Sequence, residues 1–386
     1  MSKALAALVV LSLVLPARAD TPADPPPEAI VGTLPFLDWR EANRIVLNLA
    51  PDGERDFRLM LDTGAEASVL TPRYARELGV NVRSARDREY ERATRLGRNL
   101  QFWVDTSSSE SASRTGWEYG LLGGTFYSDY VLDLDFKERK VRFIDAARWE
   151  VPKSVDAPNE AVLPLRVMGN RPFVKLTLEG KEVEVLLDTG APPTLLLSGA
   201  SARKAGFEKP PLARVDTAGV LGPIESYAIE SNELGFGPFK FAPAPIVFSP
   251  KGSYNQAGSS DSAAGYDLMS HFRVRIDYPH KRLWLRREDD EPLAWWGQPW
   301  TPIRRVGAFV SVQDRMMRID GVLPDSPAAK LGLRAGDEIE FRGDLSHAKA
   351  LEETLGAIER GDRILVVRPT KEDEPPEQVE LGGKKE

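Results

Sequence analysis

The chain has 386 residues, enough for two to four domains, and 42% of them are hydrophobic, which supports packed cores. A formal net charge of −7 argues against nucleic acid as a main partner. The absence of cysteine excludes a disulfide framework and a thiol nucleophile, and with only three scattered histidines we expect no metal or other cofactor.

The amino terminus is typical of an export signal. Lys3 supplies a positive charge, residues 4–15 form a short apolar core, and residues 17–19 (A-R-A) provide a small-x-small cleavage site. About a dozen apolar residues are too few to cross a hydrocarbon layer of about 30 Å, so we expect no permanent membrane span. We predict a signal peptide at residues 1–19 and a Pro-rich spacer at residues 20–28. The protein is then exported, and we favour the periplasm over secretion; an uncleaved anchor is the alternative.

The tripeptide D-T-G occurs twice, at residues 62–64 and 188–190. Each copy follows an apolar run and precedes Ala and a second apolar stretch, so each acid lies at the end of a predicted buried strand. A buried carboxylate needs hydrogen-bond partners or a shifted pKa, so two such acids at equivalent places are costly. We infer that Asp62 and Asp188 meet, share a proton and activate a water molecule.

The sequence downstream of the two tripeptides also matches. Gly123 and Gly265 are 142 residues apart, and the aspartates that follow these glycines keep the same spacing, whereas the two D-T-G aspartates are 126 residues apart. The second copy therefore has 16 more residues between its tripeptide and its glycine. Self-similarity at a fixed spacing indicates a duplicated unit. Both copies alternate as β-strands do, so we predict two β-rich units, the first repeat at residues 29–150 and the second repeat at residues 158–288.

These motifs resemble those of the retropepsin-like aspartic proteases, here with two lobes fused in one polypeptide. The resemblance covers residues 29–288 and depends on D-T-G-A in each repeat and on the apolar–Gly elements at Leu122-Gly123 and Ala264-Gly265. It implies a mainly β fold, a psi-shaped loop beneath each acid and one active site between the lobes. It also implies aspartic endopeptidase activity on peptide or protein substrates.

The residue types fit that chemistry. Two carboxyl groups within hydrogen-bonding distance cannot both ionise, so the pair holds one proton and serves as general base and general acid. The resemblance implies that the threonines hydrogen-bond across the interface, and the glycines allow the backbone to approach the carboxylates. The catalytic candidates are Asp62 and Asp188, and the supporting candidates are Thr63, Gly64, Thr189 and Gly190.

A candidate flap follows the second D-T-G. Residues 216–222 (D-T-A-G-V-L-G) place glycines inside a hairpin-like stretch, which suits a mobile flap over substrate. The corresponding stretch of the first repeat, residues 83–99, is charged and carries only Gly97, so we expect a reduced flap or ordinary surface loops there. The candidate flap residues are Ala218, Gly219 and Val220.

After the second repeat the pattern changes. Residues 322–337 (V-L-P-D-S-P-A-A-K-L-G-L-R-A-G-D) resemble the S-P-A-x-x-A-G-L-x-x-G-D stretch of PDZ domains, with Ser326 as the cap of a short helix. The resemblance spans residues 301–382 and follows an acid-rich linker at residues 289–300. The predicted fold is therefore mainly β, with two pseudo-symmetric retropepsin-like acid-protease lobes followed by an α+β PDZ domain.

The PDZ resemblance implies a peptide-binding role for the loop at Gly307, Ala308 and Phe309. Its amides would bind a peptide C-terminus, and the strand that follows would add the peptide to its sheet. We therefore expect this domain to recruit or regulate substrate, and a purely structural module packed on the protease is the alternative. For the whole chain, two further readings stay open: a catalytically silent peptide-binding scaffold acting through the PDZ groove, and a hydrolase of non-peptide substrates that uses the same dyad.

Overall fold

The structure is a computed structural model that describes residues 24–37, 44–80, 89–105, 119–219, 222–242, 244–250, 262–289, 305–313, 315–341, 347–370 and 375–383. The predicted signal peptide, part of the spacer, nearly all of the linker and the flap residue Val220 lie outside the described residues. Within the described ranges, no helix is long and apolar enough to cross a membrane.

The prediction of a mainly β protein is confirmed. In chain order, the strands are β1 Ile30–Pro35, β2 Val46–Asn48, β3 Arg58–Leu61, β4 Ser68–Leu70, β5 Tyr90–Ala93, β6 Asn99–Val104, β7 Gly120–Leu122, β8 Tyr130–Asp135, β9 Lys140–Asp145, β10 Glu160–Pro164, β11 Arg166–Met168, β12 Arg171–Leu178, β13 Lys181–Leu187, β14 Leu195–Ser198, β15 Ala213–Gly219, β16 Gly222–Ser231, β17 Leu234–Phe236, β18 Phe239–Phe241, β19 Ala244–Ser249, β20 Ala263–Ala264, β21 Phe272–Asp277, β22 Arg282–Arg287, β23 Ala308–Gln313, β24 Met316–Val322, β25 Glu338–Glu340, β26 Ile364–Arg368 and β27 Glu377–Leu381. The helices are α1 Pro72–Glu77, α2 Gly124–Tyr127, α3 Gly199–Ala205, α4 Tyr266–Met269, α5 Pro327–Leu331 and α6 His347–Arg360, and a 3-10 turn covers Pro27–Ala29.

The two repeats share the same strand arrangement around the D-T-G loop. In the first repeat, β7 lies between β3 and β4, parallel to the former and antiparallel to the latter. In the second repeat, β20 lies in the same way between β13 and β14. The amide of Asp62 donates to Leu122 O at 3.1 Å, and that of Asp188 donates to Ala264 O at 2.9 Å. The strand of each apolar–Gly element is therefore inserted directly beneath the loop that carries the acid.

The glycine of each apolar–Gly element is required by a close backbone approach. A Cβ atom on Gly123 would lie 2.2 Å from Ala67 O, and one on Gly265 would lie 2.1 Å from Pro193 O. These are main-chain atoms of the segment that follows the D-T-G loop, so no side chain can move aside to make room. The duplicated glycines of the sequence therefore mark the point where two chain segments cross in contact.

Both repeats contribute to one six-stranded sheet, in the order β1-β9-β8-β21-β22-β10. Its central pair is β8 of the first repeat against β21 of the second, antiparallel, with Leu134 opposite Val274. A single apolar core extends through both repeats and includes Leu61 and Leu187, the residues that precede the two acids. The two D-T-G loops are thus held relative to one another by a shared sheet and a shared core.

The C-terminal region, residues 305–383, forms a separate five-stranded sheet with its own core. The sheet order is β23-β24-β25-β26-β27, so β23 is an edge strand. Ser326 caps α5 by accepting a hydrogen bond from the Ala329 amide at 3.1 Å, and Gly332 ends the helix at φ +90°. The amphipathic helix α6 packs its apolar side, with Leu355 and Ile358, into this core.

Candidate active site

The two D-T-G loops meet through their threonines. The Thr63 amide donates to Thr189 Oγ1 at 3.0 Å, and the Thr189 amide donates to Thr63 Oγ1 at the same distance. Each hydroxyl in turn donates to the other repeat, Thr63 to Leu187 O at 2.7 Å and Thr189 to Leu61 O at 2.6 Å. Both side chains are fully buried. These four hydrogen bonds join the loops across the two repeats, as the family resemblance implied.

The two aspartates lie side by side at this junction. Oδ1 of Asp62 accepts hydrogen bonds from the amides of Gly64 at 2.8 Å and Ala65 at 3.0 Å, and Oδ1 of Asp188 accepts one from Gly190 at 2.8 Å. Asp62 is only 7% exposed, whereas Asp188 keeps more of its surface open. Each carboxyl group therefore has one oxygen held by its own loop.

Each D-T-G glycine makes room for the opposite carboxyl group. A Cβ atom on Gly64 would lie 2.5 Å from Cγ of Asp188, and one on Gly190 would lie 2.8 Å from Cγ of Asp62. A larger residue at either position would push the two carboxyl groups apart. The sequence predicted that these glycines allow close approach to a carboxylate, and the structure identifies the carboxylate as that of the other repeat.

The surroundings of the two acids make their affinities for a proton unequal. Burial raises the pKa of both carboxyl groups. The pKa of Asp62 lies well above its usual range because the charge of Asp188 and the hydrogen bond between the two acids add to burial. The pKa of Asp188 is raised by burial, but hydrogen bonds from Gly190 and Asp62 and the charge of Arg44 oppose the rise. These surroundings favour protonation of Asp62 over that of Asp188, within a pair that titrates as one unit.

Arg44 is a residue at this site that the sequence analysis missed. The pairing of β2 with β3 continues through a bond from the Leu61 amide to Ile45 O at 2.7 Å, which brings Arg44 beside Asp62. Burial lowers the pKa of Arg44 to about 10, although both aspartates act to raise it. The guanidinium therefore stays charged at neutral pH next to the dyad. The sequence carries no local signal for this position of Arg44, because it depends on the register between β2 and β3.

The candidate flap forms the hairpin of β15 and β16. The pairing runs to its tip, where Gly219 lies opposite Gly222 and Ala218 opposite Pro223. In the first repeat, the turn at Gly97 between β5 and β6 is anchored to the core, because the Arg95 amide donates to Leu49 O at 2.9 Å and Leu96 is buried. The hairpins at the corresponding places of the two repeats are therefore held differently.

The C-terminal region contacts the same hairpin. Strand β24 lies against β15, and an apolar patch joins the two parts of the chain. The members of this patch are Leu196, Ala228 and Val247 from the second repeat and Phe309 and Leu323 from the C-terminal region. The predicted PDZ loop is next to it: Gly307 has φ +70°, a Cβ atom there would lie 2.2 Å from Ser326 Cβ, and Ala308 is buried. The Phe309 side chain thus packs towards the second repeat.

No group of three or more His, Cys, Asp or Glu side chains in the described ranges is arranged to hold a metal ion. The two buried acids are accompanied by backbone donors, a guanidinium and two hydroxyl groups. This set of groups can hold and exchange a single proton between two oxygens, which is what activation of a water molecule requires.

Comparison with known proteins gives a family match in the second repeat. A family model described as aspartyl protease matches residues 174–266, the span that contains Asp188 and Gly265. Among solved structures, a retropepsin-like aspartic protease from Rickettsia conorii aligns with 19% identity over 33% of this chain and 90% of that chain, with a TM-score of 0.26. No curated protein matches the sequence.

Proposed function

We propose that the protein is an aspartic endopeptidase in which Asp62 and Asp188 form the catalytic dyad. The observation that carries this proposal is the junction of the two D-T-G loops, where the threonines bond across the repeats and the two carboxyl groups lie together. The match of residues 174–266 to aspartyl proteases supports the same assignment. The threonine bonds between the repeats supply the rigidity that two acids so close together need.

The unequal proton affinities assign a role to each acid. Asp188, ionised, takes a proton from water as the water oxygen attacks the carbonyl carbon of the scissile amide, and Asp62 gives its proton to the carbonyl oxygen. The resulting diol collapses as the proton on Asp188 passes to the leaving nitrogen and one hydroxyl proton returns to Asp62. The C–N bond breaks, a carboxylic acid and an amine form, and the dyad regains its starting protonation state.

We also propose that the C-terminal region is a PDZ-type domain that recruits or regulates substrate. The edge position of β23 and the loop at residues 306–309 support this role, because a peptide can extend a sheet at a free edge strand. With the predicted signal peptide at residues 1–19, such an enzyme would act after export, in the periplasm. Its substrates would be peptides or proteins recognised in part by a free C-terminus.

The direct test is a peptide-library digest with the wild-type protein and with Asp62→Asn and Asp188→Asn. Each substitution removes one proton-transfer group, so we expect cleavage to fall by about 10²–10⁴-fold while the fold is retained. A pepstatin-type inhibitor, which mimics the tetrahedral intermediate, should raise the melting temperature of the wild type. Wild-type protein without cleavage or inhibitor binding would instead favour the peptide-binding scaffold, and cleavage that survives both substitutions would contradict the mechanism.

A further inference from the structure

Two tyrosines from different repeats lie beneath the first acid. Tyr127, the last residue of α2, is fully buried, and its hydroxyl donates to the main-chain carbonyl of Asp62 at 2.6 Å. Tyr278, which follows β21, is 3% exposed, and its ring centre lies 5.6 Å from that of Tyr127 at an interplanar angle of 49°. Tyr127 therefore contacts the D-T-G loop from below, and Tyr278 packs against it from the other repeat.

The second acid lacks this support. The spacing of 142 residues that relates Gly123 to Gly265 also relates Tyr127 to Met269, the last residue of α4. Met269 is fully buried and has no hydrogen-bond donor. The main-chain carbonyl of Asp188 accepts the loop's own bond, from Ala191 at 3.2 Å, as the carbonyl of Asp62 accepts one from Ala65 at 3.2 Å. Only the first loop has a phenol bond in addition.

Burying the hydroxyl group of a tyrosine costs free energy unless a hydrogen bond compensates for the lost contact with water. The ring of Tyr278 packs on that of Tyr127, and both side chains are buried at the junction of the repeats. Burial raises the pKa of Tyr127 well above its usual range, and Tyr278 and Asp62 add to the rise. Because the ordinary pKa of a tyrosine is about 10, Tyr127 stays a neutral donor to Asp62 at neutral and acidic pH.

We propose that Tyr127 is a positioning residue that holds the first D-T-G loop, and that this makes Asp62 the more rigid member of the dyad. A short bond to the carbonyl of Asp62 restricts rotation of the peptide unit that leads into Thr63 and Gly64. The Gly64 amide then stays aimed at the Asp62 carboxyl group while the proton moves. The effect on catalysis rests on the proposed endopeptidase function, whereas the effect on the loop does not.

The loop is tested by amide hydrogen exchange in Tyr127→Phe. This substitution removes one hydroxyl and keeps the ring, so we expect the amides of Gly64 and Ala65 to exchange about 5-fold faster, with Gly190 as an unchanged internal reference, since a net hydrogen bond contributes about 1 kcal/mol. Tyr130→Phe is the matched control, because Tyr130 packs on Phe143 and Arg98, away from the dyad. Unchanged exchange at Gly64, or equally faster exchange in both loops, would overturn the proposal.

Catalysis is tested with the same two variants. We expect kcat per inhibitor-titrated active site to fall by about 10-fold in Tyr127→Phe with KM unchanged, because the lost interaction matters most when charge moves through the dyad. Tyr130→Phe should match the wild type. A lower active fraction with unchanged kcat per site would mean that Tyr127 is merely structural. If the wild-type protein cleaves no peptide, the proposed function fails, and the exchange measurement still decides whether Tyr127 holds the loop.

Discussion

Asp62 and Asp188 occupy the same tripeptide, yet the structure gives them different neighbours. Arg44 and Tyr127 both belong to the first repeat: the charge of Arg44 opposes the rise in the pKa of Asp188, and Tyr127 donates a hydrogen bond to the main-chain carbonyl of Asp62. The hydrogen bond between the acids raises the pKa of Asp62 and lowers that of Asp188. Two identical tripeptides therefore carry carboxyl groups in chemically different surroundings.

The dyad should also make stability depend on pH. Because the pKa of each carboxyl group is raised in the folded state, its contribution to stability is fully present below the unfolded-state pKa of about 3.9 and is lost as pH rises through the folded pKa. Asp62→Asn removes this loss, so we expect its melting temperature to exceed that of the wild type at pH 7 by more than at pH 3. Thermal unfolding at both pH values measures the difference, with the exposed Asp129→Asn as control.

The alanines that follow each D-T-G should influence the pH optimum. Pepsin-type enzymes place Ser or Thr there, and Ala65 offers only its amide, which donates to Asp62 Oδ1 at 3.0 Å. Without the hydroxyl the shared proton persists to higher pH, so we expect an optimum nearer neutral than that of pepsin. A hydroxyl donor in Ala65→Ser should shift the profile down by about one pH unit, since a hydrogen bond to a charged group contributes about 1.5–3 kcal/mol.

The pH–rate profile of kcat/KM for the wild type, Ala65→Ser and Ala67→Ser measures this effect. Ala67→Ser adds the same hydroxyl two residues further along and should leave the profile unchanged. A wild-type optimum below about pH 3, in the range where pepsin's dyad titrates, would contradict the hypothesis.

The two D-T-G loops behave as one element because their threonines exchange four hydrogen bonds. Neither loop can satisfy its Thr amide and hydroxyl alone, so each depends on the other repeat for its conformation. By contrast, the hairpin of β15 and β16 is held by its own pairing, which runs to Gly219 and Gly222, and by the pairing of β16 with β19. The D-T-G loops are thus held by bonds between the repeats, and the hairpin by pairing within the second repeat and by contact with β24.

Thr63→Val tests the junction of the loops. It leaves the Thr189 amide without its acceptor and Leu187 O without its donor, both buried, so we expect a loss of about 2–4 kcal/mol in the free energy of unfolding. Thr63→Ser keeps the hydroxyl and should lose much less. Urea unfolding of both variants supplies the comparison, and a loss in Thr63→Val no larger than that in Thr63→Ser would mean that the hydrogen bonds do not dominate the junction.

Across the molecule, buried charge and apolar contact connect the parts of the chain. Asp133 in β8 is fully buried and accepts hydrogen bonds from Arg273 at 3.0 Å and Arg275 at 3.3 Å in β21, as well as from Arg142. This ion cluster crosses the central strand pair of the shared sheet and so ties the repeats together. The apolar patch around Leu323 connects the C-terminal region to the second repeat through hydrophobic contact and not through charge.

Leu323→Asp should separate the C-terminal region from the second repeat. Leu323 is 1% exposed, and burial of such a side chain stabilises the contact between the two parts by about 1.5–3 kcal/mol. A carboxylate at this position removes that stabilisation, because it must leave water to occupy the patch. We expect trypsin to release a C-terminal fragment several-fold faster from this variant than from the wild type. Leu365→Asp, at a position 45% exposed in the same region, is the matched control and should be cut at the wild-type rate. Equal release from all three proteins would show that the patch does not hold the region in place.

Local sequence was sufficient to predict the mainly β fold and to single out the two acids. Alternating apolar residues predict strands, and a glycine recurring at a fixed spacing marks a crossing where a Cβ atom would meet main-chain oxygen, as at Gly123 and Gly265. Strands depend on residues adjacent in the chain, and the crossing glycines recur at a fixed spacing, which is why pattern and spacing reveal them.

Long-range packing set the rest of the site. Gly64 faces the carboxyl group of Asp188, and Tyr127 binds the main-chain carbonyl of Asp62, 65 residues away along the chain. Phe309 packs against an apolar patch that includes Ala228 of the second repeat. A tyrosine, an arginine or a phenylalanine has the same local pattern whether it fills a core or supports a catalytic loop. Its role is settled only when distant segments are brought into register, because hydrogen bonds and burial depend on distances in space and not on distances along the chain.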